Sequence, residues 1–216
     1  MDRSQNRGAA GCVLGAMLLL TGCATSPPSR VDDLCRIFHE KPDWHAAAVA
    51  AQRAHGAPVA LQMAVIQQES NFRHDVRAPR KRVFFGLLPG RRISSAFGYS
   101  QALDGTWLAY VDDTGVRGAR RDHFDDAVDF VSWYLDQSRR RNGVPFSDTV
   151  GHYFNYHEGW GGYARKTYND KAWLKRVAQK VANRRAQYAR QLAQCELPPP
   201  GFWQRLFSGG SRSVLG

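Results

Sequence analysis

The chain has 216 residues, enough for one domain with a sizeable hydrophobic core and too few for two ordinary ones. Its apolar fraction of 43% and charged fraction of 23% are ordinary for a globular protein. The formal net charge of +11 predicts a surface that attracts polyanions, which leaves nucleic acid, anionic lipid and acidic cell-wall polymers as possible partners.

The first thirty residues have the pattern of an export signal. Two arginines in MDRSQNR precede the apolar run AAGCVLGAMLLL, which has the length of a signal-peptide core rather than of a membrane span. The run ends in LTGC, residues 20–23, which resembles the lipobox of bacterial lipoproteins. The resemblance implies that residues 1–22 are a signal peptide and that Cys23 is lipidated, the alternative being a plain secreted protein.

Lipidation would also set the location of the protein. Ala24 follows the lipobox cysteine where an Asp would retain a lipoprotein at the inner membrane, so the resemblance implies sorting to the outer membrane. The protein would then sit on the inner leaflet, facing the periplasm, through its N-terminal lipid. This location argues against nucleic acid as a partner.

Two cysteines would be left with a free thiol after export and lipidation. Cys12 leaves with the signal peptide and Cys23 would carry lipid, which leaves Cys35 and Cys195 near the two ends of the predicted domain. In an oxidising periplasm two leftover cysteines pair more often than not. The sequence therefore predicts a Cys35–Cys195 disulfide, with two free buried thiols as the alternative.

The mature chain divides into a lipidated tether at 23–30, a domain at 31–196 and a Pro/Gly-rich tail at 197–216. Apolar spacing, prolines and glycines predict a mainly α domain, with residues 78–97 as one long irregular or hairpin segment. The predicted helices lie at residues 43–53, 59–70, 104–113, 125–141, 148–157 and 169–194, the fifth of them capped by Ser147 and the last packed through Trp173, Val177 and Val181.

The stretch QQESNF, residues 67–72, places an acid at the end of an apolar helix. Leu61, Val65 and Glu69 are spaced by four, so the Glu69 carboxylate points inward or into the wall of a cleft. Desolvation and the negative end of the helix dipole would both raise its pKa, as a general acid at neutral pH requires. The alternative is a Glu that ends a helix and turns to solvent.

Two later stretches contain residue types that suit sugar binding. GYSQALDGTW at 98–107 has a glycine and a polar pair before a helix start, and YFNYHEGWGGY at 153–163 combines aromatic rings, a His, an Asn and glycines. Aromatic rings stack on a pyranose face, and amides hydrogen-bond its N-acetyl and hydroxyl groups. Taken singly, each stretch could equally be a turn with core aromatics.

In this order the three stretches resemble the motifs of the soluble lytic transglycosylase (SLT) catalytic domain, a lysozyme-like, mainly α fold that cleaves peptidoglycan. The family's Glu-Ser matches Glu69-Ser70. Its Gly-Leu-Met-Gln matches Gly98-Tyr99-Ser100-Gln101. Its Ala-Tyr-Asn-Ala-Gly, aligned on the glycine, matches Tyr156-His157-Glu158-Gly159. The resemblance covers residues 55–190 and implies a goose-type or SLT-type lysozyme-like domain.

The chain departs from the family pattern in three places. The second motif begins 29 positions after Glu69 (98 minus 69), which implies an insertion at the rim of the cleft. Tyr99-Ser100 replaces Leu-Met and gives a more polar wall. His157 stands where the family has Asn, and an alternative frame would use Phe154-Asn155 instead of Tyr156-His157.

The resemblance implies a non-hydrolytic lyase reaction on peptidoglycan glycan strands. Glu69 would protonate the glycosidic oxygen and then accept the proton of the C6 hydroxyl, closing a 1,6-anhydromuramic acid end without a protein nucleophile. Ser70 would orient Glu69, Tyr156 would hold Glu69 or the acetamido group, and His157 and Gly159 would complete the third motif. Gln101 would bind the substrate, together with Tyr99 and Ser100, and Gly98 would let the backbone approach the sugar.

Two other functions remain open from the sequence. A hydrolytic goose-type muramidase needs a second carboxylate to hold a water, and the candidates are Asp75, Asp104 and Glu158. A peptidoglycan-binding lipoprotein without activity is the second alternative. No cofactor is expected, because the histidines show no metal-like spacing with carboxylates; they are His74, His123, His152 and His157.

Overall fold

The computed structural model describes residues 26–83 and 88–197. The predicted signal peptide, Cys23 and nearly all of the tail lie outside these residues. The described chain is mainly helical, as predicted, and none of its helices has both the length and the apolar character needed to cross a bilayer. The helices are α1 (Leu34–Glu40), α2 (Pro42–His55), α3 (Val59–Ser70), α4 (Asp104–Thr114), α5 (Phe124–Asn142), α6 (Thr149–Ala164) and α7 (Ala172–Ala193).

Local signals mark most helix ends where the sequence predicts them. Pro42 opens α2, where its missing N–H costs nothing. Gly115 and Gly143 adopt left-handed φ values of 71° and 67° and end α4 and α5. The cap of α6 differs from the prediction: Asp148 rather than Ser147 accepts a hydrogen bond from the Gly151 amide, at 2.8 Å. A carboxylate is the stronger acceptor at this positive end of a helix.

Three helices differ from the sequence expectation. The helix α1 was not predicted, α6 continues to Ala164 instead of ending at 157, and α7 begins at Ala172 instead of 169. Of the three residues predicted to pack inward, Val181 is buried and Val177 is partly buried, as expected, whereas Trp173 is 48% exposed and Leu174 is buried in its place. The buried residues of α7 are Leu174, Ala178, Val181 and Tyr188.

The helix α3 is the centre of the core. Leu61, Val65 and Ile66 have no exposed surface, and α3 packs against α2, α5 and α7. A helix that is apolar on all sides is expected to be surrounded by others. Its last turn, which carries Glu69, therefore ends among other helices rather than on an open surface.

The segment predicted as irregular or hairpin contains a two-stranded antiparallel hairpin. Its strands are β1 (Arg80–Val83) and β2 (Leu88–Arg92), with Arg80 opposite Arg92. The guanidinium of Arg92 donates to the Ala78 carbonyl at 2.8 Å, which fixes the base of the hairpin. The extra residues between the first two motifs thus form a defined basic hairpin.

A disulfide closes the domain by joining the start of α1 to the end of α7. Cys35 and Cys195 are bonded, with their Cα atoms 5.7 Å apart. Next to the bridge, the Tyr188 hydroxyl donates to the Val31 carbonyl, and the Leu34 amide donates to the Gln191 side chain at 2.9 Å. The first residues of the domain are therefore held against the C-terminal half of α7.

Candidate active site

Glu69 stands one residue before the end of α3, at a sharp reversal of the chain. Asn71 and Phe72 both adopt left-handed backbone conformations, with φ of 53° and 60°. Such conformations cost on the order of 1–3 kcal/mol at a non-glycine residue and persist only where packing enforces them. Phe72 is completely buried against the ring of Trp44, with centroids 5.8 Å apart. The packed turn fixes the direction in which α3 ends and so the position of Glu69.

The Glu69 side chain is half-buried, so it is partly desolvated and yet open to a ligand. Burial raises the pKa of Glu69 to about 7, and a hydrogen bond from the Tyr153 hydroxyl opposes part of that increase. A carboxyl with such a pKa is substantially protonated at neutral pH, as a general acid must be. The sequence predicted both the inward position and the direction of this shift.

Two tyrosines of α6 face Glu69. Tyr153 and Tyr156 are three residues apart and share one side of the helix. The Glu69 charge raises the pKa of both hydroxyls, in addition to the effect of burial. Tyr153 makes the hydrogen bond to Glu69, whereas the Tyr156 hydroxyl donates to the Ser100 carbonyl at 2.6 Å.

In this structure Tyr153, rather than Tyr156, is the tyrosine hydrogen-bonded to Glu69. From the sequence we expected Tyr156 to hold either Glu69 or the acetamido group of the substrate, and Tyr153 was not considered. The i, i+3 spacing of the two tyrosines could have indicated that both face the same neighbour. Tyr156 instead ties α6 to the backbone of the second motif.

The structure separates the two frames of the third motif. Asn155 is fully buried; its amide nitrogen donates to the Gly151 carbonyl at 2.9 Å and its oxygen accepts from Asn142 at 2.6 Å. Phe154 stacks on Tyr168 with centroids 4.3 Å apart. Both residues are therefore engaged within the protein, whereas Tyr156 is close enough to Glu69 for the Glu69 charge to raise its pKa.

The glycine of this frame also has a structural requirement. Gly159 has φ 75° and ψ 161°, a conformation that essentially only glycine adopts, and it interrupts α6 directly after the site-facing residues.

Gly98 of the second motif is required by the packing of the protein itself. It has φ 77°, and a Cβ atom there would lie 2.0 Å from the carbonyl oxygen of Arg121. The glycine thus allows two backbone segments, at Gly98 and Arg121, to approach each other closely.

Gln101 has its amide nitrogen committed to the backbone. The nitrogen donates to the carbonyls of Val76, at 3.0 Å, and Gly98, at 2.9 Å, which stabilises the turn in which Gln101 itself has φ 51°. Any contact with a substrate would have to come from the amide oxygen of this side chain.

Three of the predicted site residues do not present their side chains to the cleft. Tyr99 is 2% exposed and packs edge-on against Trp44 and Phe124, and burial raises its pKa to about 12. Ser100 is fully buried and contributes only its carbonyl oxygen, to Tyr156. The Ser70 hydroxyl donates to its own helix, at the Ile66 carbonyl, rather than to Glu69.

His157 and Glu158 follow Tyr156 and form a separate polar cluster. The Nδ1 atom of His157 lies 3.0 Å from Glu158, and the Lys171 ammonium lies 2.8 Å from both Glu158 oxygens. Burial alone would raise the pKa of Glu158, but hydrogen bonds from Lys171, Thr167 and His157 hold it at about 2. Glu158 is thus a fixed anion that positions its neighbours.

The other two candidates for a second carboxylate are also ion-paired. Asp75 lies 3.3 Å from Arg73, and Asp104 lies 2.7 Å from Arg121. Both aspartates are more than half exposed, so these ion pairs contribute little energy. All three candidate carboxylates therefore have a cationic partner.

Two groups of potential metal ligands occur among the described residues, and neither lies in the three motifs. In one of them the thiolates are unavailable, because Cys35 and Cys195 form the disulfide that flanks His39. The other is an exposed group at the start of α5, made of His123, Asp125 and Asp126.

Replacing Tyr153 by Phe is expected to shift the pH dependence of cleavage upward. The hydroxyl stabilises the ionised form of Glu69, so its removal raises the pKa of that carboxyl further above 7. The alkaline limb of the pH–rate profile should move to higher pH, while the maximal rate falls because the ionised form that the first proton transfer produces is less stable. Tyr163→Phe, on the same helix, is the control; an unshifted limb in Tyr153→Phe would contradict the assignment.

One comparison with known proteins gives a match over most of the chain. A family model described as "Transglycosylase SLT domain" matches residues 11–195. The matched range contains Glu69, both later motifs and the two bridged cysteines. A search of curated proteins finds none that matches the chain.

Proposed function

Since the chain belongs to the transglycosylase SLT domain family, we propose that it cleaves the β-1,4 bond between N-acetylmuramic acid and N-acetylglucosamine without water, with Glu69 as acid and then base. Family membership establishes the coarser statement, that this is an enzyme of the lytic transglycosylase type with peptidoglycan as its substrate. The product, the catalytic residue and the anchoring of the protein are the parts proposed here.

The observation that carries the proposal is the state of Glu69. Its carboxyl is half-buried, its pKa is raised to about 7, and a tyrosine hydroxyl bonds to it. A group with a pKa near the working pH can both give up and regain a proton during one turnover. One carboxylate can then perform both proton transfers, which a hydrolase divides between two carboxylates.

The reaction follows from this single group. Protonated Glu69 donates its proton to the glycosidic oxygen as the bond from C1 to that oxygen breaks, and positive charge develops at C1. The acetamido oxygen of the substrate stabilises this centre. Ionised Glu69 then accepts the proton of the C6 hydroxyl as the C1–O6 bond forms. The enzyme regains its proton, no water is consumed, and the product is a 1,6-anhydro sugar.

The two tyrosines, Tyr153 and Tyr156, would assist Glu69 in different ways. Tyr153 stabilises the ionised form of Glu69 through its hydrogen bond, which favours the first proton transfer. Tyr156 acts as a positioning residue, because its hydroxyl holds the Ser100 carbonyl and so keeps the second motif against α6. The amide oxygen of Gln101 would bind the substrate.

A hydrolytic goose-type muramidase is the alternative that shares this fold. It would need a second carboxylate free to hold a water on the opposite face of the sugar. Of the three sequence candidates, Glu158 is held in a buried ion pair by Lys171, which disfavours a hydrolytic role for it. Asp75 and Asp104 are exposed and only weakly paired, with Arg73 and Arg121.

Digestion of purified peptidoglycan distinguishes the possibilities by mass. We expect released muropeptides with anhydro ends, each one water lighter than the corresponding reducing sugar. Reducing ends would mean hydrolysis and would overturn the lyase proposal. If the wild-type protein left the sacculi undigested, a peptidoglycan-binding protein without activity would be favoured instead.

We also propose that Cys23 is lipidated and holds the protein on the inner leaflet of the outer membrane. The described chain starts at the end of α7 away from the third motif, where Tyr188 binds the Val31 carbonyl. Tyr188 is fifteen positions after Trp173, a residue in the first turn of α7, which corresponds to about 22 Å along the helix. The anchor would thus leave the site facing away from the membrane; Cys23→Ala should move the protein to the soluble fraction.

A further inference from the structure

One exposed aromatic ring lies at the edge of the candidate site. The large apolar side chains with high exposure in the described part of the chain are Ile93, Leu103, Leu108, Val116 and Trp173. Trp173 is the aromatic one among them, and it is 48% exposed in the first turn of α7. Single apolar residues at a surface are ordinary, so position and support decide whether this one has a role.

Helix geometry puts Trp173 next to the site-facing side of α6. His157 is four residues after Tyr153, so it lies about 40° around the helix and about 6 Å further along it. The ring of His157 contacts that of Trp173 edge to face, with centroids 5.1 Å apart and planes at 76°. Trp173 therefore lies one side chain beyond the residues that face Glu69.

A polar network holds this pair of rings in place. His157 is hydrogen-bonded to Glu158, and Glu158 is bound to Lys171, the residue that precedes α7. Glu158 is almost fully buried, with 5% of its side chain exposed. The His157 ring is therefore oriented before any ligand arrives, which reduces the entropic cost of using the pair as a binding surface.

We propose that Trp173, supported by His157, is a stacking platform for a pyranose ring of the glycan strand beyond the bond that is cleaved. The inference rests on the proposed function, which supplies the polysaccharide. A pyranose presents an apolar C–H face, and an indole ring offers a large rigid surface of matching character at low conformational cost. His157, which supports the indole ring, stands where the resembled motif has Asn.

The charge around the platform suits a peptidoglycan strand. Arg176 is exposed and lies three residues after Trp173, on a neighbouring part of the α7 surface, and this helix contains no Asp or Glu. Muramyl sugars carry stem peptides that end in carboxylates, which such cations attract. The platform lies at the end of α7 opposite the start of the domain, where an anchor would attach, so a glycan is favoured over lipid as its ligand.

Binding without turnover tests the proposal. In the Glu69→Gln background, titration calorimetry with a β-1,4-linked N-acetylglucosamine hexamer should give a dissociation constant roughly tenfold weaker for Trp173→Ala, as the loss of one ring-stacking contact implies. Trp173→Phe should recover most of the affinity. Leu108→Ala, which removes another exposed apolar side chain at 60% exposure, is the matched control and should bind as the parent does.

The outcomes separate this inference from the function on which it rests. If the Glu69→Gln parent binds the hexamer and the added Trp173→Ala substitution does not weaken that binding, the platform proposal is overturned and the proposed function is unaffected. No glycan binding by the Glu69→Gln parent overturns both. His157→Asn keeps a polar side chain but removes the supporting ring, and it should weaken binding less than Trp173→Ala. If Trp173→Ala lost only its binding to anionic phospholipid vesicles, the ring would face lipid and the proposal would be wrong.

Discussion

Replacing Glu69 by Gln is expected to abolish peptidoglycan cleavage and, above pH 7, to make the protein more stable. Gln cannot donate or regain the proton, so the rate should fall by at least about 10³-fold, since both proton transfers are lost. The measurement is release of soluble muropeptides from purified sacculi. Retained turnover would contradict the assignment of Glu69.

The stability effect follows from the pKa of Glu69. The folded-state value is about 7 against an ordinary value of 4.5, so the folded protein binds this proton more tightly than the unfolded chain does. The wild type therefore loses stability as the pH rises from 4.5 to 7, by up to about 3 kcal/mol. Gln mimics the protonated carboxyl, so the variant should exceed the wild type at pH 8 and match it near pH 4.5.

Glu158→Gln is the matched control for this measurement, because its pKa is displaced in the opposite direction. Lys171, Thr167 and His157 hold the pKa of Glu158 at about 2, so its charge contributes stability above its unfolded pKa of 4.5. This substitution should lower the free energy of unfolding at pH 8. Equal effects of the two substitutions would show that the environments of the two carboxyls do not differ as described.

Removal of the Cys35–Cys195 bridge is expected to cause the largest loss of stability. The bridge closes a loop with a sequence separation of 160 residues. In the loop-entropy description such a closure is worth about 5 kcal/mol, which for a domain of this size corresponds to a melting temperature lower by roughly 10–20 °C. The variant is Cys35→Ser with Cys195→Ser, followed by thermal unfolding at neutral pH.

Reductant provides the internal control for the disulfide. A reducing agent should lower the melting temperature of the wild type to that of the double variant and leave the double variant unchanged. The bridge lies at the end of α7 away from the third motif, so the rate of cleavage at 25 °C should be preserved while the variant remains folded. An unchanged melting temperature in the double variant would contradict the predicted stabilisation.

Much of the fold could be read from local patterns. Prolines and glycines mark the ends of α2, α4 and α5, and the apolar spacing of α3 identifies both the central helix and the inward side of Glu69. These features depend on residues within one or two turns of each other, for which backbone geometry leaves few choices. The short helix α1 was missed because its seven residues offer little periodicity.

The contacts that the motif residues make were much harder to predict from the sequence. Tyr156 binds a carbonyl 56 positions earlier, Gln101 is used by the backbone of Val76, and Gly98 is required by Arg121. Each pairing depends on where separate helices and loops meet. A linear motif records that a residue type recurs at a position, and it does not record which neighbour that residue contacts.

By itself the sequence determined the helical class, the acid on the buried face of α3 and the order of the three motifs. Only the tertiary structure decided that Tyr153 bonds to Glu69, that Tyr99 belongs to the core and that Trp173 is exposed beside His157. The physical reason is that periodicity defines which residues share a face of a helix. Which face meets which neighbour, and which remains in water, is set by the packing of all seven described helices together.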